Sequence, residues 1–77
     1  MDREDIIEII RSAVAREYGE DRITRIDAFG PHEGEDLDVL IYVKGIDDRE
    51  DTMDLFRKIR AKFEELDLDV PFDIIGV

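Results

Sequence analysis

Asp36 and Asp38 stand two apart in Gly34-Glu35-Asp36-Leu37-Asp38-Val39-Leu40-Ile41-Tyr42-Val43, at the start of an almost uninterrupted apolar run. Such a run predicts a buried strand. Side chains two apart on a strand point to the same face, so both carboxylates project side by side from the mouth of a core strand. Adjacent anions repel. They need a hard cation, cationic side chains, or solvent at a strand end. In a chain with 22 acidic residues among 77, an Asp-x-Asp also arises by chance as solvated acid. A third carboxylate, Asp73, lies between Phe72 and Ile74-Ile75, in a run that predicts burial. A lone ionised carboxylate there is costly. It must pair, with Arg25 or Lys44 as partner, hold a metal, or reach solvent.

Five elements have to position these groups. The first is a helix from about Arg3 to Tyr18. Asp2 is its N-cap, Asp5 closes a variant capping box, and Gly19 is the stop. Ile6, Ile7, Ile10, Val14 and Tyr18 form its apolar stripe. A strand follows from about Arg22 to Phe29, where the spacing of Ile23 and Ile26 leaves room for a bulge or a twist. Gly30-Pro31 ends it. The loop 30–35 leads into a central strand from Asp36 to Val43, apolar on both faces. A second helix runs from about Asp51 or Thr52 to Leu66, with Phe56, Ile59, Phe63 and Leu66 inward and Met53 and Leu55 at the margin. Its Arg57, Lys58, Arg60 and Lys62 read as a solvated face paired with neighbouring acids. The last strand runs from about Leu68 to Val77, with Pro71 at its start or at an unpaired position.

Composition bounds the class. The chain has the length of one small domain, residues 1–77, with 43% apolar residues to build a core. It has no Cys, and His32 is its only His, so disulfides and a zinc site are both disfavoured. No apolar run approaches membrane-spanning length, and the N-terminus lacks a signal-peptide core. A cytoplasmic protein is expected. The net charge of −11 argues against broad nucleic-acid binding, which rests on Lys and Arg at phosphates. It favours a basic partner, metal ions or a high-salt cytoplasm. Asn and Gln are also absent and 43% of residues are charged, as in heat-adapted proteins.

The order is therefore helix, strand, strand with Asp-x-Asp, helix, strand with Asp. This predicts an α/β (α+β) domain with a small three-stranded mixed sheet and two helices. A helix between the last two strands lets them run parallel. If they are neighbours, Asp73 comes beside Asp36 and Asp38. Three converging carboxylates can hold one or two Mg²⁺ ions, the arrangement that serves phosphoryl-type displacement.

With Ala28-Phe29-Gly30, then Glu35-Asp36-Leu37-Asp38-Val39-Leu40-Ile41, then Val70-Pro71-Phe72-Asp73-Ile74-Ile75, the chain resembles the minimal nucleotidyltransferases of the DNA polymerase β superfamily over nearly its whole length. The resemblance implies transfer of a nucleoside monophosphate from a nucleoside triphosphate to a hydroxyl, with Mg²⁺ or Mn²⁺ as cofactor. It implies that Asp36 and Asp38 bind metal and phosphates, and that Asp73 helps hold the second metal and activates the acceptor. It also implies a partner of the HEPN type, as in toxin–antitoxin pairs. Gly30, Pro31 and His32 occupy the place of the family's phosphate-contacting Gly-Ser turn. Pro31 stands where the family has Ser and offers neither a hydroxyl nor an amide hydrogen; His32 is the candidate replacement contact. The loop is short and carries Glu33 and Glu35 where the family often places Arg.

Two other classes fit the same residues. One is a non-catalytic, acidic, antitoxin-like interaction domain for a basic protein, favoured by Pro31 and the short acidic loop. The other is a simple Ca²⁺- or Mg²⁺-binding protein, weakened by the lack of EF-hand spacing.

Overall fold

The computed structural model describes residues 2–30, 36–46 and 49–77. Helix α1 spans Arg3–Tyr18, strand β1 Ile23–Phe29, strand β2 Asp38–Val43, helix α2 Arg49–Glu65 and strand β3 Phe72–Gly76, with a short 3-10 turn at Glu20–Arg22. The class is α+β, with two helices and a mixed three-stranded sheet in the expected order α-β-β-α-β. Within the sheet the order is β1-β2-β3. β1 pairs antiparallel with β2, and β2 pairs parallel with β3.

Helix α1 has the bounds its sequence predicts. The Asp5 carboxylate accepts a hydrogen bond from the amide of Asp2 at 3.1 Å. The amide of Gly19 closes the last turn on Ala15 at 2.8 Å. Ile6, Ile10 and Val14 are buried, while Ile7 and Tyr18 are half-buried. β1 carries a bulge between Ile23 and Arg25. The hydroxyl of Thr24, the extra residue there, donates to the carbonyl of Tyr42 at 3.3 Å.

Helix α2 starts earlier than expected, at Arg49, so Asp51 lies inside the helix rather than at its start. Its inward stripe is Leu55, Ile59 and Phe63, so Leu55 takes the core place expected of Phe56. Phe56 leans to the flank and stacks on Phe72 of β3, ring centroids 4.4 Å apart. The helix ends on Asp67 at φ 56°. The amide of Leu68 reaches back to the carbonyl of Phe63 at 2.9 Å, and that of Asp67 to Glu64 at 3.1 Å. This is a Schellman ending with Asp where Gly is usual. β3 is shorter than expected and starts just after Pro71, as a residue without an amide hydrogen requires.

The core lies between the helices and one sheet face. Ile6, Ile10 and Val14 of α1 meet Leu55, Ile59 and Phe63 of α2 over Val39, Ile41 and Val43 of β2. The residues between these on β2, namely Asp38, Leu40 and Tyr42, belong to the opposite, open face. Gly76 is needed at the end of β3 because a Cβ there would lie 2.4 Å from the carbonyl oxygen of Ile46. Among the described residues, no helix is long and apolar enough to cross a membrane.

Candidate functional site

The pairing register fixes which side chains share the open face. Leu40 pairs with Asp73 across the parallel ladder and with Asp27 across the antiparallel one. Asp38 pairs with Phe29, and Tyr42 with Arg25 and Ile75. Residues in register point to the same side of a sheet, so Asp27, Asp38 and Asp73 surround Leu40 on one surface. The Cα atoms of Asp38 and Asp73 are roughly 8 Å apart, from strand rise and spacing. Asp38 is half-buried there.

Asp73 is exposed, which corrects the expectation of burial. The helices cover the face that carries Phe72 and Ile74, and Asp73 lies on the other. It pairs with neither Arg25 nor Lys44. Its Oδ1 accepts from the amide of Ile74 at 2.9 Å. Val39 donates to Pro71, and Val77 donates to Val43, so odd-numbered amides of this strand point to β2. The amide of Ile74 therefore lies on the sheet's outer edge, and Asp73 caps it, one way of blunting an exposed edge.

Asp36 sits at the rim. Its Oδ2 accepts from the amide of Asp69 at 2.7 Å, and its own amide donates to the Asp69 carbonyl at 2.8 Å. This reciprocal pair ties the chain entering β2 to the chain entering β3. Leu37, between the two carboxylates, is buried in the core, so its neighbours Asp36 and Asp38 are held outward on the strand's mouth. One oxygen of Asp36 is thereby spent on structure.

The structure thus brings Asp38 and Asp73 to one face and places Asp36 beside them at the rim. Among the described residues, no three acidic, His or Cys side chains stand close enough to hold a metal ion as they are oriented. Gly30, at φ 95°, terminates β1. Pro31 and His32 lie outside the described residues, as do Glu33 and Glu35.

Two participants escaped the sequence reading. Asp27 joins the open face with its carboxylate largely covered, bound by Arg25 at 2.8 Å. The Arg25 guanidinium also lies 5.8 Å from the centre of the Tyr42 ring, and the Asp27 carboxylate keeps it firmly protonated. Alternation with Arg25 and Phe29 along β1 was the available signal for Asp27. Asp69 acts through its backbone, for which side-chain type gives no signal. At the same end of the sheet, Arg3 donates to the carbonyl of Ala28 at 2.9 Å, bringing a cation near the mouth.

Compared with protein-family models, with curated proteins and with solved structures, the chain matches none of them. Its functional reading therefore rests on its own residues and their placement.

Proposed function

We propose that this protein is a nucleotidyltransferase-type domain that transfers a nucleoside monophosphate from a nucleoside triphosphate to a hydroxyl, with the open sheet face as its site. The observation that carries this is the placement of Asp38 and Asp73, both outward on neighbouring parallel strands, with Asp36 at the same mouth. Asp36, Asp38 and Asp73 offer only hard oxygen donors, a set that suits Mg²⁺ or Mn²⁺. Bound there, such an ion would supply Lewis-acid polarisation of the phosphate oxygens.

The chain's own residues have distinct parts in this chemistry. The acceptor oxygen bonds to the α-phosphorus, the bond to the pyrophosphate leaving group breaks, and the acceptor's proton passes to a carboxylate. Asp38 and Asp73 are the carboxylates free to receive it. Asp36 is pre-oriented by the Asp69 amide, which leaves one oxygen for a ligand. By the resemblance, Gly30, Pro31 and His32 take the place of the family's phosphate-contacting turn. The acceptor hydroxyl belongs to a small molecule or to a partner protein, of the HEPN type by resemblance.

One observation favours a second reading. The Asp36 carboxylate already has a structural partner in Asp69, and the face sets Asp38 and Asp73, with Asp27 paired to Arg25, around half-buried Leu40, with Phe29 46% exposed beside it. Such a surface also suits a non-catalytic domain that binds a basic protein.

Titration with Mg²⁺ or Mn²⁺, followed by NMR with and without ATP, separates the two. On the first reading, amide shifts converge on Asp36, Asp38 and Asp73, strengthen with ATP, and vanish in Asp73→Asn. Shifts spread diffusely over the acidic surface, with no effect of ATP, would leave the protein-binding reading.

A further inference from the structure

Away from the open sheet face, on the outer side of the helices, α1 and α2 flank a groove of about 760 Å³. Its floor is apolar, built by Ile9 and Ala13 of α1 with Leu55 and Ile59 of α2. Ile9 and Ala13 are half-buried and extend the core outward. The two walls differ in charge. α1 supplies Asp5 and Glu8, and α2 supplies Lys58 and Lys62. Arg16 and Glu17, at the far end of α1, oppose one another in charge.

The directions of the helices give this asymmetry a consequence. α2 links the parallel strands β2 and β3, so it runs against both. α1 runs against β1, as its Arg3 reaches Ala28 near that strand's end, and β1 runs against β2. The helices are therefore antiparallel, with Asp5 and Glu8 at the same end of the groove as Lys62 and Lys58. A two-fold axis along the groove keeps each residue at its height and exchanges the walls. It lays α1 of one copy over α2 of the other, acid against base, twice. A surface with one acidic wall, one basic wall and an apolar floor is complementary to itself under that operation, the requirement for a closed dimer.

The lysines are also available. Among the described residues, no ion pair crosses the groove. Glu8 binds Arg11, and Arg57 and Arg60 pair with acids of their own helix, at 3.9 Å. Among the described residues, Lys58 and Lys62 have no such partner. We propose that this groove is the interface of a homodimer, in which Asp5 and Glu8 of each copy face Lys58 and Lys62 of the other over Ile9, Ala13, Leu55 and Ile59. An interface made by one groove of a small domain lies at the low end of interface sizes, so the dimer is expected to be weak, with a dissociation constant on the order of tens of micromolar. This assignment is independent of the chemistry at the open face.

Sedimentation equilibrium of the full chain over a range from about 5 to 500 μM, a span set around that expected affinity, tests it. The expected result is a mass rising from 9.0 kDa towards twice that value. Ala13→Arg puts a charge on the floor and abolishes the rise. Lys58→Glu, on an exposed position that leaves the fold intact, weakens association at least about tenfold. Glu8→Lys does the same, and the two reversals in one chain recover most of the loss. A mass of 9.0 kDa throughout overturns the proposal. So does a dimer indifferent to Ala13→Arg and Lys58→Glu, which would be joined through the open face or a sheet edge. A chain that stays monomeric but binds an added amphipathic helix in the groove overturns it as well, in favour of a foreign partner.

Discussion

The two faces of β2 are made by one backbone and differ in almost everything else. On the helix side, Val39, Ile41 and Val43 have no exposed surface. On the other side, Asp38, Leu40 and Tyr42 alternate with them and are only half-buried. The first face supplies the burial that holds a 77-residue chain folded. The second carries Asp38, and with the neighbouring strand Asp73, two of the candidate carboxylates. The candidate site thus sits where little of the folding free energy does, so exchange of Asp38 or Asp73 should leave the protein folded.

The largest expected effect contrasts the faces directly. Ile41→Ala removes a fully buried side chain from between two helices and should cost about 2–5 kcal/mol. Leu40→Ala, one residue away, should cost about 1 kcal/mol or less, since its surface is only partly removed from water. Urea unfolding measures both. If the domain is too weak for the first, Ile41→Val should still cost about 0.5–1.5 kcal/mol. Equal costs for Leu40 and Ile41 would mean that the open face is covered in solution, and the contrast would fail.

That contrast was half legible in the sequence. Alternation and helical spacing gave the order and type of all five elements and the bounds of α1, and left room for the bulge at Ile23 to Arg25, because these depend on neighbours along the chain. The face of Asp73 did not follow. It depends on which side of the sheet the helices cover, and Phe72-Asp73-Ile74-Ile75 has apolar groups for both. The exchange of Leu55 for Phe56 in the core has the same origin, since Phe56 is drawn aside by Phe72 from another element. Asp69 was illegible because its backbone, rather than its side chain, meets Asp36.

The next effect separates structure from ligand binding at the rim. Asp36→Ala leaves the Asp69 amide without its acceptor and loosens the entry to β2 and β3. A charge-assisted hydrogen bond at an exposed site makes this a loss of about 1–2 kcal/mol. Asp36→Asn keeps an acceptor oxygen in the same place and should stay within about 0.5 kcal/mol of the parent. The same limit holds for Asp38→Asn and Asp73→Asn on the open face. Unfolding midpoints give the stabilities, and Mg²⁺ titration of the same Asn variants gives the ligand effect. A large stability loss in Asp73→Ala that Asp73→Asn does not show would assign that side chain to capping the Ile74 amide at the edge of β3 rather than to a ligand.

The smallest effect concerns neither face of the sheet but the outer surface of α1, where Glu8 binds Arg11 at 2.8 Å. Arg11 also binds Glu20, joining the helix to the turn that follows it. The Arg11 guanidinium, and after it the Ser12 hydroxyl, hold the Glu8 carboxyl below its ordinary range. A depressed carboxyl stabilises the folded state above its unfolded value, about pH 4.3 for Glu, and the contribution is lost as pH falls through the lower folded value. Glu8 is exposed, so the effect is small. The stability difference between the parent and Glu8→Gln should therefore be present near neutral pH and close to zero in strong acid, in thermal unfolding at low micromolar concentration. Raising the protein concentration sharpens the test. A lone pair with Arg11 leaves the difference unchanged, whereas a second cation, Lys58 or Lys62 of another copy, makes it grow with concentration, because the carboxylate is then worth more in the dimer than in the monomer.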